Sequence, residues 1–209
     1  MVNVCIASNN KNKIKQFREI FAEQKLEANL ITASETGMKD FPPEDAGTFY
    51  GNSLIKASAL HRHICSTSGA CDFYVLADDS GVCVDALGGA PGVRSARFSG
   101  EHATDAMNNA LLLEKLSGVE NRTAYYMCAV TLITPEGRVM CTGGRVDGEI
   151  IDEPRGSDGF GYDPYFYIAS LGRTFAELTS DVRNSMSHRG SALRKAVSLI
   201  VEDINAKKS

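Results

Sequence analysis

The sequence predicts an α/β protein with a central mixed sheet, and three patterns favour that fold class. In the first half of the chain, apolar runs typical of strands alternate with helical patterns, as in proteins built on a partly parallel sheet. In the second half, two β-rich runs over 123–134 and 138–146 flank the turn Pro135-Glu136-Gly137 and predict a hairpin. The 209 residues contain no internal repeat or linker, so we expect a single domain, 1–209, with a sizeable core.

Apolar runs and helical spacings locate the other elements along the chain. Short apolar runs predict strands over 2–7, 29–32 and 73–76. Apolar residues at helical spacing predict a helix that contains Ile14, Phe17 and Ile20, and further helices over 48–65, 104–116 and 191–204. Ser8 and the asparagines after it are typical caps for the start of the first helix.

Composition and charge exclude several classes of function. The chain is 43% hydrophobic and 23% charged with a net charge of −4, which disfavours binding to the backbone of nucleic acids. The first residues do not resemble a signal peptide, and no apolar run reaches the roughly 18 residues of a membrane-spanning helix. The six cysteines show no CxxC pair and no matched histidine spacing. We therefore expect a cytoplasmic protein with reduced cysteines, no membrane contact and no zinc site.

The first candidate site is the polar loop that precedes the first helix. A strand, a polar loop and a helix N-terminus together favour an anion, because free backbone N–H groups and the helix dipole both attract negative charge. The loop consists of Ser8, Asn9, Asn10, Lys11, Asn12 and Lys13. Lys13 would close over a phosphate, and Lys56, which shares a helix face with Asn52, would reach the same site. The alternative is an ordinary capped helix with solvated lysines.

The second candidate site is the acidic stretch Ala77-Asp78-Asp79-Ser80-Gly81, which follows the strand predicted over 73–76. Neighbouring residues of a strand point to opposite faces, so Asp78 and Asp79 cannot both face one site while the strand stays regular. One of them would bind a metal or act as a base, and Glu44 would supply a second carboxylate. The alternative is an Asp-rich turn.

The third candidate region lies towards the C-terminal end. In the segment 156–164, glycines alternate with aromatic residues, which lets the backbone approach a flat ligand while Phe160 or Tyr162 stacks on it. Further along, Arg183, His188 and Arg189 provide donors for carbonyl oxygens or phosphate. The alternatives are a Gly-rich loop with buried aromatics and a basic start of a helix.

Six motifs in sequence order resemble the family of inosine triphosphate pyrophosphatases. They are Ser8-Asn9-Asn10-Lys11-Asn12-Lys13, Ala77-Asp78-Asp79-Ser80-Gly81, Leu87-Gly88-Gly89-Ala90-Pro91-Gly92, Ser95-Ala96-Arg97-Phe98-Ser99-Gly100, Gly159-Phe160-Gly161-Tyr162-Asp163-Pro164 and Ser187-His188-Arg189-Gly190. The resemblance implies hydrolysis of ITP, dITP and XTP to the monophosphate and pyrophosphate, with Mg²⁺, by a homodimer that cleanses the nucleotide pool. It also implies an elongated mixed sheet with two lobes and an active site in the cleft between them.

The resemblance also implies a role for each candidate residue. Asp79 matches the metal-binding residue and proposed proton acceptor, Ser80 touches substrate, and Glu44 matches a second metal ligand. Residues 8–13 and Lys56 match the triphosphate site. Phe160, Gly161, Tyr162 and Asp163 match the base-binding loop, and His188 with Arg189 the base-recognition pair. The family commonly has Glu where this chain has Gly51, and Lys where it has Arg183.

Two other functions are compatible with the same motifs. One is a related pyrophosphatase that acts on modified pyrimidine or methylated nucleotides. The other is a purine nucleotide sensor without turnover, which the missing acidic group at Gly51 would favour.

Overall fold

The computed structural model describes residues 1–68 and 71–208, which form seven strands and five α-helices. The strands are β1 (Val2–Ile6), β2 (Ala28–Thr32), β3 (Tyr74–Val84), β4 (Thr123–Ile133), β5 (Val139–Ile150), β6 (Phe166–Ile168) and β7 (Arg173–Thr174). The helices are α1 (Lys11–Glu23), α2 (Phe49–Ser68), α3 (Asp105–Lys115), α4 (Ser180–Met186) and α5 (His188–Ala206).

The strands form one mixed sheet in the order β2-β1-β3-β4-β5-β6-β7. Strand β1 pairs in parallel with β2 and with β3, whereas β6 pairs antiparallel with β5 and with β7. The predicted class, an α/β fold with a mixed sheet and flanking helices, is therefore confirmed. The chain divides into two compact units: unit 1 comprises Met1–Asp79, Cys128–Gly144 and Arg189–Ser209, and unit 2 comprises Ser80–Met127 and Arg145–His188.

The sheet portion of unit 1 carries a separate apolar cluster on each face, as the alternation of β1 shows. Val4 and Ile6 belong to a cluster that includes apolar residues of α1 and α5. Cys5 and the next residue, Ala7, belong to another cluster that includes apolar residues of α2. A parallel strand buried on both faces reads as a continuous apolar run, which is why the run at 2–7 predicted β1 correctly.

Strand β3 is longer than the sequence indicated, and the prediction of its end at residue 76 was wrong. The strand continues to Val84 and carries Asp78 and Asp79 in its interior. Its apolar residues resume directly after the acidic pair, because Val82 and Val84 enter the core of unit 2. The alternative reading of an Asp-rich turn is excluded by this strand geometry.

The core of unit 2 combines aliphatic residues of β3 and α3 with a group of aromatic rings. Leu112 of α3 and Leu116, which caps this helix, pack in the same cluster as Tyr126, Phe166 and Phe175. The Tyr126 ring lies 4.4 Å from Phe166 and 5.6 Å from Phe175, measured between ring centroids. These spacings are close to or within the range of about 4.5–7 Å that favours aromatic pairs, so the three rings pack together in the core of this unit.

Several elements differ from the sequence-based expectations. Strands β6 and β7 and helix α4 were not predicted, and α5 begins at His188 rather than at 191. Cys65 and Cys71 are joined in a disulfide, so the expectation that all cysteines are reduced was wrong for this pair. Within the described part of the chain, no helix has the length and apolar character needed to cross a membrane.

Candidate active site

The two units divide the candidate residues between them. Unit 1 contains Ser8, Asn9, Asn10, Lys11, Asn12, Lys13, Glu44, Lys56, Asp79 and Arg189, and unit 2 contains Ser80, Phe160, Gly161, Tyr162, Asp163, Arg183 and His188.

The alternation of β3 directs its two carboxylates to different helices. Tyr74 and Leu76 lie in the cluster that contains residues of α1 and α5, and Val75 and Ala77 lie in the cluster that contains residues of α2. Side chains of a strand alternate between its two faces, so residue 78 lies on the face of Tyr74 and Leu76, and residue 79 lies on the face of Val75 and Ala77. The contacts of the two side chains agree with this assignment.

Asp79 contacts the first turns of α2. Its Oδ2 accepts a hydrogen bond of 2.9 Å from Nδ2 of Asn52, and the side chain is buried. Oδ1 of Asn52 accepts from the backbone N–H of Ala46 at 3.1 Å, so this amide joins the loop before α2 to Asp79. The same loop carries Glu44, whose Oε2 lies 2.7 Å from Nζ of Lys56. Asn52 therefore positions the metal candidate Asp79 and the loop that carries the second candidate.

The electrostatics around Asp79 suit a bound cation. Burial raises the pKa of the Asp79 carboxyl, Glu44 raises it further, and the opposing effects of Lys56, Asn52 and Lys13 do not cancel this increase. The ionised form of Asp79 is therefore incompletely compensated by the protein. Carboxylate oxygens are the ligands that Mg²⁺ prefers, and a divalent cation would stabilise the ionised form. Asp79 and Glu44 thus fit the predicted metal site in donor chemistry and in charge.

Asp78 has a different environment, because it is enclosed by two cations. Nζ of Lys13 and Nε of Arg189 each lie 3.0 Å from Oδ2 of Asp78. Burial alone would raise the pKa of Asp78, but the charges of Lys13 and Arg189, with a contribution from Lys56, hold it well below its usual value. Nη1 of Arg189 also donates to Oε1 of Gln16 on α1. Asp78 therefore joins α1 to the start of α5.

The polar loop before α1 has the predicted cap. The Asn10 side chain accepts from the backbone N–H groups of Asn12 and Lys13, at 2.9 and 3.2 Å. Ser8 is buried, and its Oγ accepts from the N–H of Asn10 at 3.2 Å. Asn9 donates to the carbonyl of Lys39 at 2.8 Å. Lys11 is exposed at the start of the helix, so the loop presents a helix N-terminus and lysine side chains.

In unit 2, the glycine- and aromatic-rich loop is fixed by polar contacts from several elements. The backbone N–H of Gly161 donates to Asp105 at 2.8 Å, and its carbonyl accepts from Nδ2 of Asn109 at 2.9 Å. Both partners lie on α3, so this helix holds both backbone polar groups of Gly161. Asp163 accepts from the N–H of Phe160 at 3.1 Å within the loop itself.

The two aromatic residues of this loop are not equivalent. Tyr162 is buried in the core cluster of unit 2, and its hydroxyl donates to the carbonyl of Ser95 at 2.8 Å. Phe160 is half-buried and retains exposed surface. Of the two residues, Phe160 is therefore the more exposed one and the better candidate for stacking on a ligand.

Tyr126 connects the loop to the residue that begins α5. Its hydroxyl donates to Oδ1 of Asp163 at 3.0 Å, and its ring stacks on that of His188 with 4.7 Å between centroids. Sequence reasoning assigned no chemistry to β4 and missed this residue. Its aromatic character at a buried strand position is the only signal in the sequence, and it does not identify the partner.

Arg183 is engaged with its own surroundings. Its Nη1 lies 3.3 Å from the carbonyl oxygens of Phe175 and Leu178 and donates to both. The side chain stabilises the segment before α4, which explains how an arginine is accommodated at this position. Ser80 is half-buried and is the first residue of unit 2.

Comparison with known proteins identifies the family to which the fold and these residues point. The model of the Ham1 family matches residues 4–199. The chain belongs to the Ham1 family. It is 42% identical over 195 residues to the dITP/XTP pyrophosphatase of Clostridium tetani, covering 93% of this chain and 94% of the relative. It is 45% identical over 194 residues to the protein of the same name from Chromobacterium violaceum, covering 90% and 91%.

Solved structures agree with this assignment. The Ham1 protein of Coxiella burnetii superposes with a TM-score of 0.84 at 37% identity, covering 97% of this chain and all of that chain. The Staphylococcus aureus Ham1 protein gives a TM-score of 0.83 at 35% identity, covering 96% and 99%. The resemblance stated from the six motifs is therefore confirmed.

Proposed function

We propose that this protein hydrolyses noncanonical purine nucleoside triphosphates (ITP, dITP and XTP) to the monophosphate and pyrophosphate, and so cleanses the nucleotide pool. The observation that carries the proposal is the buried Asp79, incompletely compensated and grouped with Glu44 and Lys56, in a chain of the Ham1 family. The relatives described above are named dITP/XTP pyrophosphatases, which supports the choice of substrate class.

Residues of unit 1 would bind the triphosphate. A triphosphate group carries about four negative charges. Lysine side chains and the backbone N–H groups at the start of α1 would neutralise them. A lysine ammonium has three donors. Lys13 directs one towards Asp78 and Lys56 directs one towards Glu44. Each lysine would use its other donors for phosphate oxygens while the carboxylate keeps it in position.

Asp79 and Glu44 would hold Mg²⁺. When bound, this ion would polarise the phosphate oxygens and lower the pKa of a water molecule. Asp79, or another carboxylate beside it, would orient water for attack at the α-phosphorus, with pyrophosphate as the leaving group. A carboxylate that binds the ion would not at the same time be a free base, so the two roles proposed for Asp79 partly compete.

Residues Phe160–Asp163 of unit 2, with Ser80 and His188, would bind the nucleoside. Phe160 is partly exposed, and stacking of a base on its ring would be worth about 1–3 kcal/mol. Inosine and xanthine carry a carbonyl at position 6 where adenine carries an amino group. Donors from Arg189 or from backbone N–H groups would pair with that carbonyl and leave adenine mismatched.

The decisive experiment measures products as well as turnover. The protein is incubated with ITP, XTP, dUTP and ATP in the presence of Mg²⁺, and pyrophosphate is quantified separately from phosphate. We expect pyrophosphate from ITP and XTP and little from ATP. Release of phosphate instead, or a lack of ITP turnover, would refute the proposal. Preference for dUTP or a methylated nucleotide would favour the related pyrophosphatase, and ITP binding without turnover would favour the sensor.

Assembly and location complete the proposal and rest on the family resemblance. We propose a homodimer in the cytoplasm, without a nucleic-acid or membrane partner. Light scattering at micromolar concentration tests the dimer, and a mass of one chain would contradict it.

A further inference from the structure

Three soft donor groups lie together near the C-terminal end of α2. His61 and Cys65 are four residues apart on this helix and therefore share a face. Cys71 follows before β3, and the donor atoms of all three side chains lie within 4.8 Å of one another. Throughout residues 1–68 and 71–208, this is the one group of three or more His, Cys, Asp or Glu side chains that meets such a criterion. None of the roles proposed above uses it.

The spacing of these atoms suits a tetrahedral ion. In a zinc site with bonds of about 2.3 Å to sulfur and about 2.0 Å to nitrogen, sulfur and nitrogen lie roughly 3.5 Å apart and two sulfurs roughly 3.8 Å apart. Sγ of Cys65 lies 3.8 Å from each ring nitrogen of His61. The Cα atoms of Cys65 and Cys71 are 4.8 Å apart. At that Cα separation, rotation of the side chains of the two reduced cysteines can place their sulfur atoms at the sulfur–sulfur distance of a zinc site.

We propose that the reduced protein binds one zinc-class d¹⁰ cation through Sγ of Cys65, Sγ of Cys71 and one ring nitrogen of His61. Binding breaks two S–H bonds, forms two metal–sulfur bonds and one metal–nitrogen bond, and releases two protons per ion without transfer of electrons. The three residues are half-buried, so a hydrated ion has access and water completes the tetrahedron. Thiolate and imidazole select zinc over Mg²⁺, so Mg²⁺ does not compete for this site.

The disulfide in the structure is the competing state of the same two thiols. Oxidation removes both thiolate ligands at once, so the oxidised protein lacks the site. The oxidised protein is therefore a control for metal binding. One molecule of a low-molecular-weight disulfide such as oxidised glutathione converts the two thiols to the disulfide and yields two molecules of reduced glutathione. Metal binding and disulfide formation exclude each other at this position.

The remaining cysteines do not offer an equivalent site. Burial raises the pKa of the Cys5 and Cys128 thiols to about 12, and Cys83 is also buried. Cys141 is exposed but belongs to no such group within the part of the chain that the structure describes. Its substitution by serine is therefore a matched control for loss of a thiol, and His102→Ala, at an exposed histidine, is the matched control for loss of an imidazole.

The test uses the full chain, reduced and freed of reductant, with Co²⁺ as the optical probe and Zn²⁺ as its competitor. We expect one Co²⁺ per chain, a thiolate-to-cobalt charge-transfer band, displacement by Zn²⁺ and release of two protons. Cys65→Ser and Cys71→Ser should each remove the band and weaken Zn²⁺ binding by more than about 100-fold, since outer-shell partners alone are worth about 10–100-fold. His61→Ala should weaken it by at least about tenfold, and Cys141→Ser and His102→Ala should bind as the unmodified protein does.

Oxidised unmodified protein keeps the proposal testable if a variant misfolds. Treatment with oxidised glutathione should abolish the band, and reduction should restore it. The absence of a band in the reduced protein would overturn the proposal. A band that survives in Cys65→Ser or in the oxidised protein would do the same. Each measurement reports metal binding directly, so a failure here leaves the proposed pyrophosphatase activity unaffected.

Discussion

Substitution by asparagine should have different consequences at the adjacent residues Asp78 and Asp79: the first should mainly lower stability, and the second should lower activity. Asp78→Asn leaves the cations of Lys13 and Arg189 without their carboxylate in a buried setting. Removing one partner of a buried ion pair costs about 3–5 kcal/mol. The Arg189 side chain is only 4% exposed, whereas that of Lys13 is 16% exposed and can turn partly towards water. We therefore expect a loss near the lower end, about 3 kcal/mol, or a fall in Tm of about 6–12 °C for a chain of this size.

Asp79→Asn should preserve stability and remove activity. The raised pKa of Asp79 means that the folded state holds a proton on this group more tightly than the unfolded state does, so its ionised form opposes folding at neutral pH. An amide removes that charge and still accepts from Asn52, so we expect a change within about 1 kcal/mol. Loss of the metal ligand should lower kcat by at least about 10²-fold, as for other transition-state electrostatic partners.

Thermal melts and pyrophosphate release measured on the same preparations separate the two effects. Asp85→Asn, at the exposed residue that follows β3, is the matched control and should change neither quantity. The assignment of the two carboxylates to opposite faces is wrong if Asp78→Asn is as stable as the unmodified protein. It is also wrong if Asp79→Asn keeps a normal kcat.

The dependence of the unfolding free energy on pH in the acid range gives an independent test of the role of Asp78. A depressed pKa in the folded state contributes stability above the unfolded value of about 4, and this contribution is lost as the pH falls through the folded value. The difference in unfolding free energy between the unmodified protein and Asp78→Asn should therefore be constant from neutral pH to about pH 5 and shrink below about pH 4. A difference that shrinks at higher pH would contradict the depressed pKa.

Three further substitutions test the remaining assignments. Glu44→Gln should raise the Mg²⁺ concentration for half-maximal activity by about tenfold or more, because it removes a charged oxygen ligand and the partner of Lys56. Phe160→Ala should raise KM for ITP by about 5–150-fold, from the loss of about 1–3 kcal/mol of stacking. Asp105→Asn exchanges a charged acceptor of the Gly161 N–H for a neutral one, and should raise KM for ITP by about 3–10-fold with little change in kcat, since such bonds contribute about 1 kcal/mol.

Neighbouring residues and conservative changes provide the controls. Asp45→Asn is adjacent to Glu44 and exposed, and it should leave the Mg²⁺ dependence unchanged. Phe160→Tyr keeps the ring and should keep KM, so an equal loss in Phe160→Ala and Phe160→Tyr would argue against stacking. Glu101→Gln, an exposed carboxylate shortly before α3, is the control for Asp105→Asn. An unaltered KM in Asp105→Asn would show that the Gly161 peptide needs no support from α3.

The sequence was informative about the fold where the elements are long. The apolar runs at 2–7 and 123–134 correspond to β1 and β4, because a buried strand needs several consecutive residues that suit it. Strands β6 and β7 have only three and two residues, which is too few to establish a period. Arg173–Thr174 becomes a strand only because β6 offers it a partner, and pairing between segments is invisible to a local pattern.

The same limit applies to the site. Asn10 was recognised as a cap because its partners, Asn12 and Lys13, are local. Tyr126 was missed because its partner Asp163 is 37 residues away, and no local feature announces that contact. The sequence did not reveal the Cys65–Cys71 pair for a different reason, because its spacing matches no common motif. The geometry of α2 is needed to show that His61 lies beside the two cysteines.

The end of β3 was predicted wrongly because its two charged residues look unfavourable inside a strand when only the local sequence is considered. Two consecutive carboxylates inside a strand are unfavourable unless other elements compensate them, and the compensating groups here come from distant parts of the chain. Arg189 reaches Asp78 across 111 residues and Asn52 reaches Asp79 across 27. The rule of alternation nevertheless survived, since it depends only on the backbone. One strand thereby supplies a carboxylate that joins α1 to α5 and, on its other face, the carboxylate that we propose as a metal ligand. Substitutions one residue apart should consequently differ: Asp78→Asn lowers stability and loosens Lys13 and Arg189, whereas Asp79→Asn removes turnover at nearly unchanged stability.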